Sequence, residues 1–146
     1  MFRGRYFHTV DPKGRLSIPA KFREVLKERY GTTLVVASFD DCLVAYPLKE
    51  WTKLEEKLLQ LPSTQLEVRK FLRRFFSSGV ECEVDSHGRV LLQPQSREFA
   101  AINREAVLLG AMNRFEIWSR ERWDDFMRRS EGTFEETAEK LSALGV

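Results

Sequence analysis

Cysteine and histidine are scarce in this sequence, which has two of each among its 146 residues. Cys42 and Cys82 are far apart and lack the close pairing of a zinc or redox motif, so we interpret them as buried, unreactive thiols rather than metal ligands. His8 and His87 have no serine, cysteine or paired-carboxylate arrangement around them at a recognisable spacing. The composition therefore predicts no metal, no cofactor, no small-molecule substrate and no enzyme activity.

Long apolar runs are also missing. No stretch approaches the ~18 apolar residues that a membrane helix requires, and charge interrupts residues 1–8 too early for a signal peptide. We therefore expect a cytoplasmic protein with no membrane partner. Hydrophobic residues make up 42% of the chain and aromatic residues 12%, which is enough to build the core of one compact domain or two very small ones.

The net charge is small, and its formal value of +2 does not by itself indicate nucleic-acid binding. The charges are unevenly distributed, however. Residues 1–23 contain six basic side chains and one acidic one, whereas residues 124–146 contain three basic and six acidic ones. The basic end is suited to face phosphate, although a short basic stretch can also serve only to solvate a surface.

One short motif occurs twice in the chain. The segment Asp11–Arg15, with sequence DPKGR, returns 74 positions later as Asp85–Arg89, with sequence DSHGR. After the helix that follows each motif the offset falls to 72, so that Trp123 corresponds to Trp51, and we expect the loss of two residues to lie in the loop between helix and strand. Two copies indicate a pseudo-two-fold domain in which each half completes the core of the other.

Each copy has the pattern of a strand, a turn, a short strand, a helix and a hairpin. In the first copy, the alternation over residues 5–10 predicts the first strand, and residues 16–18 predict the second. Pro19 suits the first position of a short helix. Two apolar runs within residues 34–46 predict the hairpin, and apolar positions at helical spacing over residues 48–61 predict a further helix.

Two segments fall outside the repeat. Thr64-x-x-Glu67 is a capping-box pattern that predicts a linking helix, and Thr133-x-x-Glu136 is a second one that predicts an acidic C-terminal helix. The linking helix carries a basic cluster, which either contacts DNA or forms the solvated side of an amphipathic helix. The cluster consists of Arg69, Lys70, Arg73 and Arg74.

The repeated motif has the composition of a type I turn, with aspartate in the first position and glycine in the fourth. Each turn leads directly into an arginine, Arg15 or Arg89. Because the planar fork of an arginine pairs with O6 and N7 of guanine, the two turns predict a duplicated DNA-binding module. For either turn taken alone, a hairpin corner with an ordinary exposed arginine is the alternative.

Taken together, the motifs resemble those of the MraZ family, which comprises bacterial transcriptional regulators built from two SpoVT/AbrB-like units. The likeness covers nearly the whole chain in order and length. It rests on Phe2-Arg3-Gly4, on Asp11-x-Lys13-Gly14-Arg15-Leu16-x-Ile18-Pro19, on Asp85-x-x-Gly88-Arg89, and on Trp51 and Trp123. One departure is Gln93, which stands where the first unit has Pro19 and is followed by Pro94, so the start of the second helix differs from the family pattern.

The resemblance implies a mixed β fold with helices (α+β), namely a duplicated AbrB-like swapped-hairpin β-barrel with pseudo-two-fold symmetry and peripheral helices. We expect one intertwined globular domain. Its parts would be unit 1 at residues 5–52, linking helices at residues 53–80, unit 2 at residues 81–124 and a C-terminal helix at residues 125–146.

The resemblance also implies a function. We expect a sequence-specific DNA-binding transcriptional regulator, associated with the nucleoid, that represses the operon for cell division and cell-wall synthesis. Its partners would be short G-containing direct repeats in double-stranded promoter DNA and further copies of itself in a ring-shaped homo-oligomer. The alternative is a ring-forming protein-interaction scaffold that binds an acidic partner without sequence-specific DNA binding.

The family's DNA-reading motif, Asp-x-x-x-Arg, falls on both turns. The residues assigned to base reading are Arg15 and Arg89. Those assigned to orienting the turns are Asp11, Gly14, Asp85 and Gly88. The aspartates are assigned to orientation rather than to DNA contact because a carboxylate that faced phosphate would repel it. Phosphate contacts are assigned to Arg3, Arg5, Lys13 and His87. Since the first turn has Pro12 and Lys13 where the second has serine and histidine, we expect the first turn to contribute more of the binding energy.

Overall fold

The computed structural model describes all residues from Met1 to Val146. The eight strands are β1 (Arg5–Thr9), β2 (Arg15–Ser17), β3 (Thr33–Phe39), β4 (Cys42–Pro47), β5 (Val80–Glu83), β6 (Arg89–Leu91), β7 (Glu105–Gly110) and β8 (Phe115–Ser119). The six α-helices are α1 (Ala20–Arg29), α2 (Leu48–Leu59), α3 (Leu66–Arg74), α4 (Pro94–Phe99), α5 (Arg120–Ser130) and α6 (Phe134–Ser142). Two 3₁₀ turns, Phe76–Ser78 and Glu131–Thr133, precede β5 and α6 respectively. The mixed α+β class is confirmed.

The strands form two antiparallel sheets in which the two units exchange strands. The larger sheet has six strands in the order β1-β7-β8-β4-β3-β5, and the smaller one pairs β2 with β6. The first strand of each unit therefore pairs with the hairpin of the other unit, since β1 lies beside β7 and β5 lies beside β3. An isolated bridge between Val10 and Leu16 links β1 to β2. The strand pairing describes two linked sheets, and it does not by itself close them into one barrel.

The pairing register is the same in both halves of the molecule. Thr9 lies opposite Glu105, and the corresponding pair in the other half is Glu83 with Thr33. At the centre of the small sheet Leu16 faces Val90. These two residues are themselves related by the 74-residue offset, so the β2–β6 ribbon is symmetric about its middle pair. The repeat in the sequence thus corresponds to a two-fold repeat in strand pairing.

The core lies between the exchanged strands and draws side chains from both units. Phe22 of α1 is 1% exposed, and its ring meets those of Phe2 and Tyr6 edge-on at centroid distances of 5.4 and 5.3 Å. The ring of Phe115, from β8 of the second unit, lies 5.1 Å away. Leu16 and Val90 point into the same cluster. Neither unit therefore has a complete core of its own.

The helix starts partly match the sequence expectations. Helix α1 begins at Ala20 with Pro19 as its N-cap rather than its first residue, and α4 begins at Pro94, one position after Gln93. The expected second helix is therefore present despite the missing proline. It is shorter than α1, with six residues against ten. The connection that follows α4 is two residues longer than the one that follows α1, at five residues against three, so the net loss of two residues falls around the end of the helix and the loop after it.

Neither expected capping box forms. The N-cap of α3 is Gln65, one residue after Thr64, and no side chain caps that end. The guanidinium of Arg69 instead donates hydrogen bonds to the carbonyls of Ser63 and Thr64. Thr133 is the N-cap of α6, but its hydroxyl donates to the carbonyl of Ser130 and caps no helical N–H.

The cysteines lie inside the fold as free thiols. Cys42 is buried and Cys82 is half-buried, and burial raises the pKa of both thiols. This placement agrees with the interpretation of unreactive thiols, because a raised pKa disfavours the reactive thiolate. None of the helices combines the length and the apolar character needed to cross a membrane.

Replacing Phe22 with alanine should strongly destabilise the protein. The side chain is fully enclosed by aromatic rings from both units, and truncation of such a side chain leaves a cavity that costs about 3–5 kcal/mol. Chemical denaturation followed by circular dichroism measures this loss. Leu59→Ala is the matched control, because Leu59 is 84% exposed and should change the free energy of unfolding by less than about 0.5 kcal/mol. Equal losses for the two variants would contradict the assigned core.

Candidate nucleic-acid interface

The two repeated motifs form turns with the same hydrogen bonds. In the first, Gly14 N–H donates to the Asp11 carbonyl at 2.9 Å, as expected for a four-residue turn. In the second, Gly88 N–H donates to the Asp85 carbonyl, also at 2.9 Å. Gly14 has φ +85° and Gly88 has φ +76°, a left-handed conformation that glycine adopts without strain. The glycines of the motif are therefore required by the backbone.

The Asp11 carboxylate binds both the turn backbone and the arginine that follows it. Its Oδ1 accepts hydrogen bonds from the N–H groups of Lys13 and Arg15, both at 2.9 Å. Its Oδ2 accepts from Nε of Arg15 at 2.7 Å. One carboxylate thus organises the loop and fixes the direction of the guanidinium.

The second turn repeats this arrangement atom for atom. Oδ1 of Asp85 accepts from the N–H groups of His87 at 2.9 Å and Arg89 at 3.0 Å. Oδ2 accepts from Nε of Arg89 at 3.1 Å. The longer contact to Nε makes the second arginine less tightly held than the first.

The hydrogen bonds keep both carboxylates charged. The backbone N–H of Arg15 is the main cause that lowers the pKa of Asp11. The backbone N–H of Arg89 does the same for the pKa of Asp85. In both turns the slight desolvation of the carboxyl opposes this effect without overcoming it. Each turn is consequently an ion pair at neutral pH, with no net charge of its own from aspartate and arginine.

Both arginines lie on the outward face of the β2–β6 ribbon. Leu16 and Val90 point inward and are 0% and 1% exposed, so the alternate positions of each strand point outward. Arg15 pairs with Leu91, which lies two positions along from Arg89. The two arginines are therefore diagonal neighbours, and the Cα atoms of such neighbours are about 7–8 Å apart. Only Nε of each guanidinium is bound within the protein. The two Nη groups of each arginine make no hydrogen bond within the protein, and the side chains of Arg15 and Arg89 are 33% and 27% exposed.

Each turn is held in place by the opposite unit. The carbonyl of Gly88 accepts a hydrogen bond from Ile18 N–H at 2.8 Å, and the carbonyl of Gly14 accepts one from Leu92 N–H at 2.9 Å. These bonds extend the β2–β6 pairing at both ends. The positions of the two arginines therefore depend on each other through the backbone.

Sequence reasoning missed two further arginines at this site. Arg23 of α1 donates from Nε to the Ile18 carbonyl at 3.1 Å, and Arg97 of α4 donates from Nε to the Leu92 carbonyl at 3.2 Å. Both side chains lie against the glycine of the opposite turn, Arg23 against Gly88 and Arg97 against Gly14. The two residues are related by the 74-residue offset, and this was the available signal. Nothing in the sequence pattern indicated that they reach across to the other unit.

The residues assigned to phosphate contacts do not all lie together. Lys13 and His87 are within the turns and are exposed. Arg5 begins β1, whereas the turn follows the other end of that strand, about 20 Å away at about 3.3 Å per residue. The guanidinium of Arg5 instead lies 4.8 Å from the centre of the Trp123 ring. Arg3 precedes it and lies still further along the chain from the turn.

The basic cluster of α3 borders a groove rather than a turn. Lys70 and Arg74 line it together with Phe39, Phe71 and Phe99, and it has a volume of about 420 Å³. No residue of α3 is buried. Lys70, Arg73 and Arg74 of the cluster are exposed, whereas Arg69 is half-buried and bound to the carbonyls of Ser63 and Thr64.

The family model for the antitoxin-like MraZ protein matches the chain twice, over residues 1–74 and residues 75–143. The chain belongs to the MraZ family. Each match contains one complete turn, so the family model and the strand pairing both describe two equivalent units. Membership confirms the resemblance drawn from the motifs.

Relatives in this family align with the chain from end to end. The transcriptional regulator MraZ of Desulfitobacterium hafniense is 49% identical over 146 residues, which covers all of both chains. That of Pelotomaculum thermopropionicum is 45% identical over 146 residues, covering all of this chain and 99% of the relative. That of Heliobacterium modesticaldum is 49% identical over 141 residues, covering 97% of this chain and 96% of the relative.

Replacing both Asp11 and Asp85 with asparagine should change how the free energy of unfolding depends on pH. Their folded-state pKa values are lowered, so the unfolded chain binds more protons as the pH falls below the ordinary aspartate range. The stability they contribute is present above the unfolded-state pKa and is lost as the pH falls through the lowered folded-state pKa. The double variant should be less stable than the parent at neutral pH, and the difference should shrink in acid. Urea denaturation at a series of pH values measures this, and a difference independent of pH would contradict it.

Proposed function

We propose that this protein is a sequence-specific DNA-binding transcriptional regulator that reads bases with Arg15 and Arg89. The observation that carries this proposal is that both arginines lie on the same outward face of one two-stranded ribbon, at diagonal positions, and that each is held through Nε by the aspartate of its own turn. The aligned relatives bear the name transcriptional regulator MraZ, which supports the same function for this chain.

The geometry of the ribbon suits the major groove. That groove is about 12 Å wide and admits a two-stranded β-ribbon. With Nε bound to the aspartate, each guanidinium presents its two Nη groups, which can donate to O6 and N7 of one guanine. A good bidentate contact of this kind contributes about 1–3 kcal/mol of discrimination against the wrong base.

The aspartates of this proposal act on the arginines and not on DNA. Holding the guanidinium before binding reduces the conformational entropy that would otherwise be lost on contact with a base. A carboxylate close to phosphate would be repelled, but each aspartate here is paired with a positive group. Gly14 and Gly88 permit the turn conformation that brings the two partners together.

Phosphate contacts complete the interface. Lys13 and His87 lie in the turns beside the reading arginines and are placed to contact the flanking backbone. Arg3 and Arg5 serve the same purpose where the DNA continues along the direction of β1. Because lysine carries a full charge and Asp11 holds Arg15 more closely than Asp85 holds Arg89, the first turn contributes the larger share of binding.

Repeated DNA sites require repeated subunits, and two surfaces of the chain support self-association into a ring. Helix α6 has no buried residue, and Phe134 at its start is 70% exposed. Helix α6 carries negative charge from Glu135, Glu136 and Glu139. The groove beside α3 combines exposed phenylalanines with Lys70 and Arg74. Because an acidic apolar helix complements a basic aromatic groove, contact of α6 with α3 of the next copy would be head-to-tail and able to close a ring.

The biological setting follows from these proposals and from family membership. A ring of subunits binds short G-containing direct repeats in promoter DNA. Each subunit binds one repeat weakly, and simultaneous binding of several linked subunits gives a high overall affinity. The protein acts in the cytoplasm on the nucleoid, as a repressor of the operon for cell division and cell-wall synthesis. The exchanged strands and the links between the two sheets support the swapped-hairpin barrel of SpoVT/AbrB-like units as the scaffold of this site.

At physiological salt Arg15→Ala should abolish specific DNA binding, and Arg89→Ala should nearly do so, while fold and subunit assembly remain intact. Each variant removes one bidentate base contact from every subunit. The expected loss of binding free energy is about 1–3 kcal/mol for each contact, summed over the subunits of the ring that contact DNA. Fluorescence anisotropy with promoter fragments that carry or lack intact direct repeats, over a series of salt concentrations, measures the effect.

Lys13→Ala is the control within the same turn. It should weaken binding to all DNA sequences similarly and should flatten the salt dependence, because it removes a phosphate contact and not a base contact. If both arginine variants bound repeat DNA as well as the parent does, the assignment of base reading would be wrong. If the parent itself showed no preference for repeats, the chain would be a protein-interaction scaffold instead.

Reversing the charge of α6 should reduce the size of the oligomer. In the variant with lysine at Glu135, Glu136 and Glu139, the helix would face the basic α3 groove with like charge, which disfavours association. Light scattering without DNA measures the mass. Adding Lys70→Glu and Arg74→Glu to the same chain makes the two surfaces complementary again, and the mass should recover. An unchanged mass in the first variant, or a parent that is a monomer, would contradict this interface.

A further inference from the structure

We propose that Arg23 and Arg97 are positioning residues that act across the two units, so that Arg23 sets the turn that presents Arg89 and Arg97 sets the turn that presents Arg15. The inference rests on the proposed function for its DNA readout, since it concerns how the reading arginines are placed. The juxtaposition that carries it is a helix arginine lying across the glycine of the opposite turn, and it occurs twice in the molecule.

A single residue connects each helix arginine to the opposite turn. The Ile18 carbonyl accepts from Nε of Arg23, while Ile18 N–H donates to the carbonyl of Gly88. Leu92 repeats this connection, because its carbonyl accepts from Nε of Arg97 and its N–H donates to the carbonyl of Gly14. Each helix arginine thus holds the backbone residue whose N–H donates a hydrogen bond to the glycine of the opposite turn.

Packing adds a second, direct connection. A Cβ atom placed on Gly88 would lie 2.5 Å from Cδ of Arg23 and 2.8 Å from its Nη1. A Cβ atom placed on Gly14 would lie 3.3 Å from Cζ of Arg97. Arg23 therefore covers Gly88 so closely that a Cβ atom there would clash with it, whereas a Cβ atom on Gly14 would be in tight contact with Arg97. The left-handed backbone favours glycine at both positions, and the close cover by Arg23 adds a second reason for glycine at Gly88.

The contact of Arg23 with Gly88 is closer than that of Arg97 with Gly14, so we expect the second turn to depend more on its helix arginine than the first turn does. The second turn also has Ser86 where the first has Pro12, and a proline limits the conformations of a turn without outside help. Loss of Arg23 should therefore disturb Arg89 more than loss of Arg97 disturbs Arg15.

Double-mutant cycles distinguish this role from a phosphate contact made by Arg23 itself. Binding to direct-repeat DNA is measured for Arg23→Ala in the parent, in Arg89→Ala and in Arg15→Ala, at a salt concentration low enough that phosphate contacts keep both single variants measurably bound. We expect Arg23→Ala to weaken binding about tenfold in the parent and in the Arg15→Ala protein, and to have little further effect once Arg89 is absent. The slope of affinity against salt should stay close to that of the parent.

Other patterns would overturn the proposal. Equal losses in both backgrounds, with a shallower salt slope, would make Arg23 an independent phosphate contact. A loss that disappeared in the Arg15→Ala protein and persisted in the Arg89→Ala protein would show that Arg23 acts on the turn of its own unit. The matching cycles for Arg97 should show the reverse dependence on the two reading arginines.

A measurement without DNA separates failure of this inference from failure of the proposed function. In ¹⁵N NMR spectra, Arg23→Ala should shift the amide of Gly88 more than that of Gly14, and Arg97→Ala should do the opposite. Arg23→Lys retains an aliphatic stem over the glycine and should keep the Gly88 amide closer to its parent position. Shifts confined to the turn of the same unit would refute the cross-unit contact, whether or not the parent binds repeat DNA. A parent that fails to bind while showing these shifts would refute only the function.

Discussion

Two backbone hydrogen bonds, from Ile18 N–H to Gly88 and from Leu92 N–H to Gly14, connect each unit to the turn of the other. They belong to a pattern of exchanged strands in which neither unit closes its own core. The placement of both turns depends on this exchange, because a turn at the end of a short strand would otherwise have no neighbour to define its position. The candidate site is therefore complete only when both units are folded against each other.

Within each turn the aspartate links local structure to electrostatics. One carboxylate oxygen accepts two backbone N–H groups and the other accepts Nε of the arginine, so the charge that shapes the turn also directs the guanidinium. The same bonds keep the pKa of Asp11 low, which leaves the ion pair intact at neutral pH. A pre-arranged arginine of this kind loses little freedom on binding, and this suits it to read a base rather than only to attract phosphate.

The features that could be predicted from the sequence are those in which local chemistry is repeated. The positions of Asp11 and Gly14, and their return at offset 74, predicted both turns correctly, and hydrophobic alternation predicted the strands around them. The capping boxes did not form, because one or two favourable side chains compete weakly with tertiary contacts, as Arg69 shows at the start of α3. Arg5 and Lys13 were both assigned to phosphate, and only the structure shows that the extended strand β1 separates them and that the Arg5 guanidinium lies over the ring of Trp123.

The sequence alone determined that the chain contains two copies of one unit, that each copy has a glycine-dependent turn, and that each turn leads into an arginine. These properties depend on the backbone preferences and spacing of nearby residues, which a sequence displays directly. Only the tertiary structure decided that the units exchange strands, that both arginines share one ribbon face, and that Arg23 and Arg97 cover the opposite glycines. Such contacts join residues more than 40 positions apart, and their partners are selected by strand register and core packing rather than by any local signal.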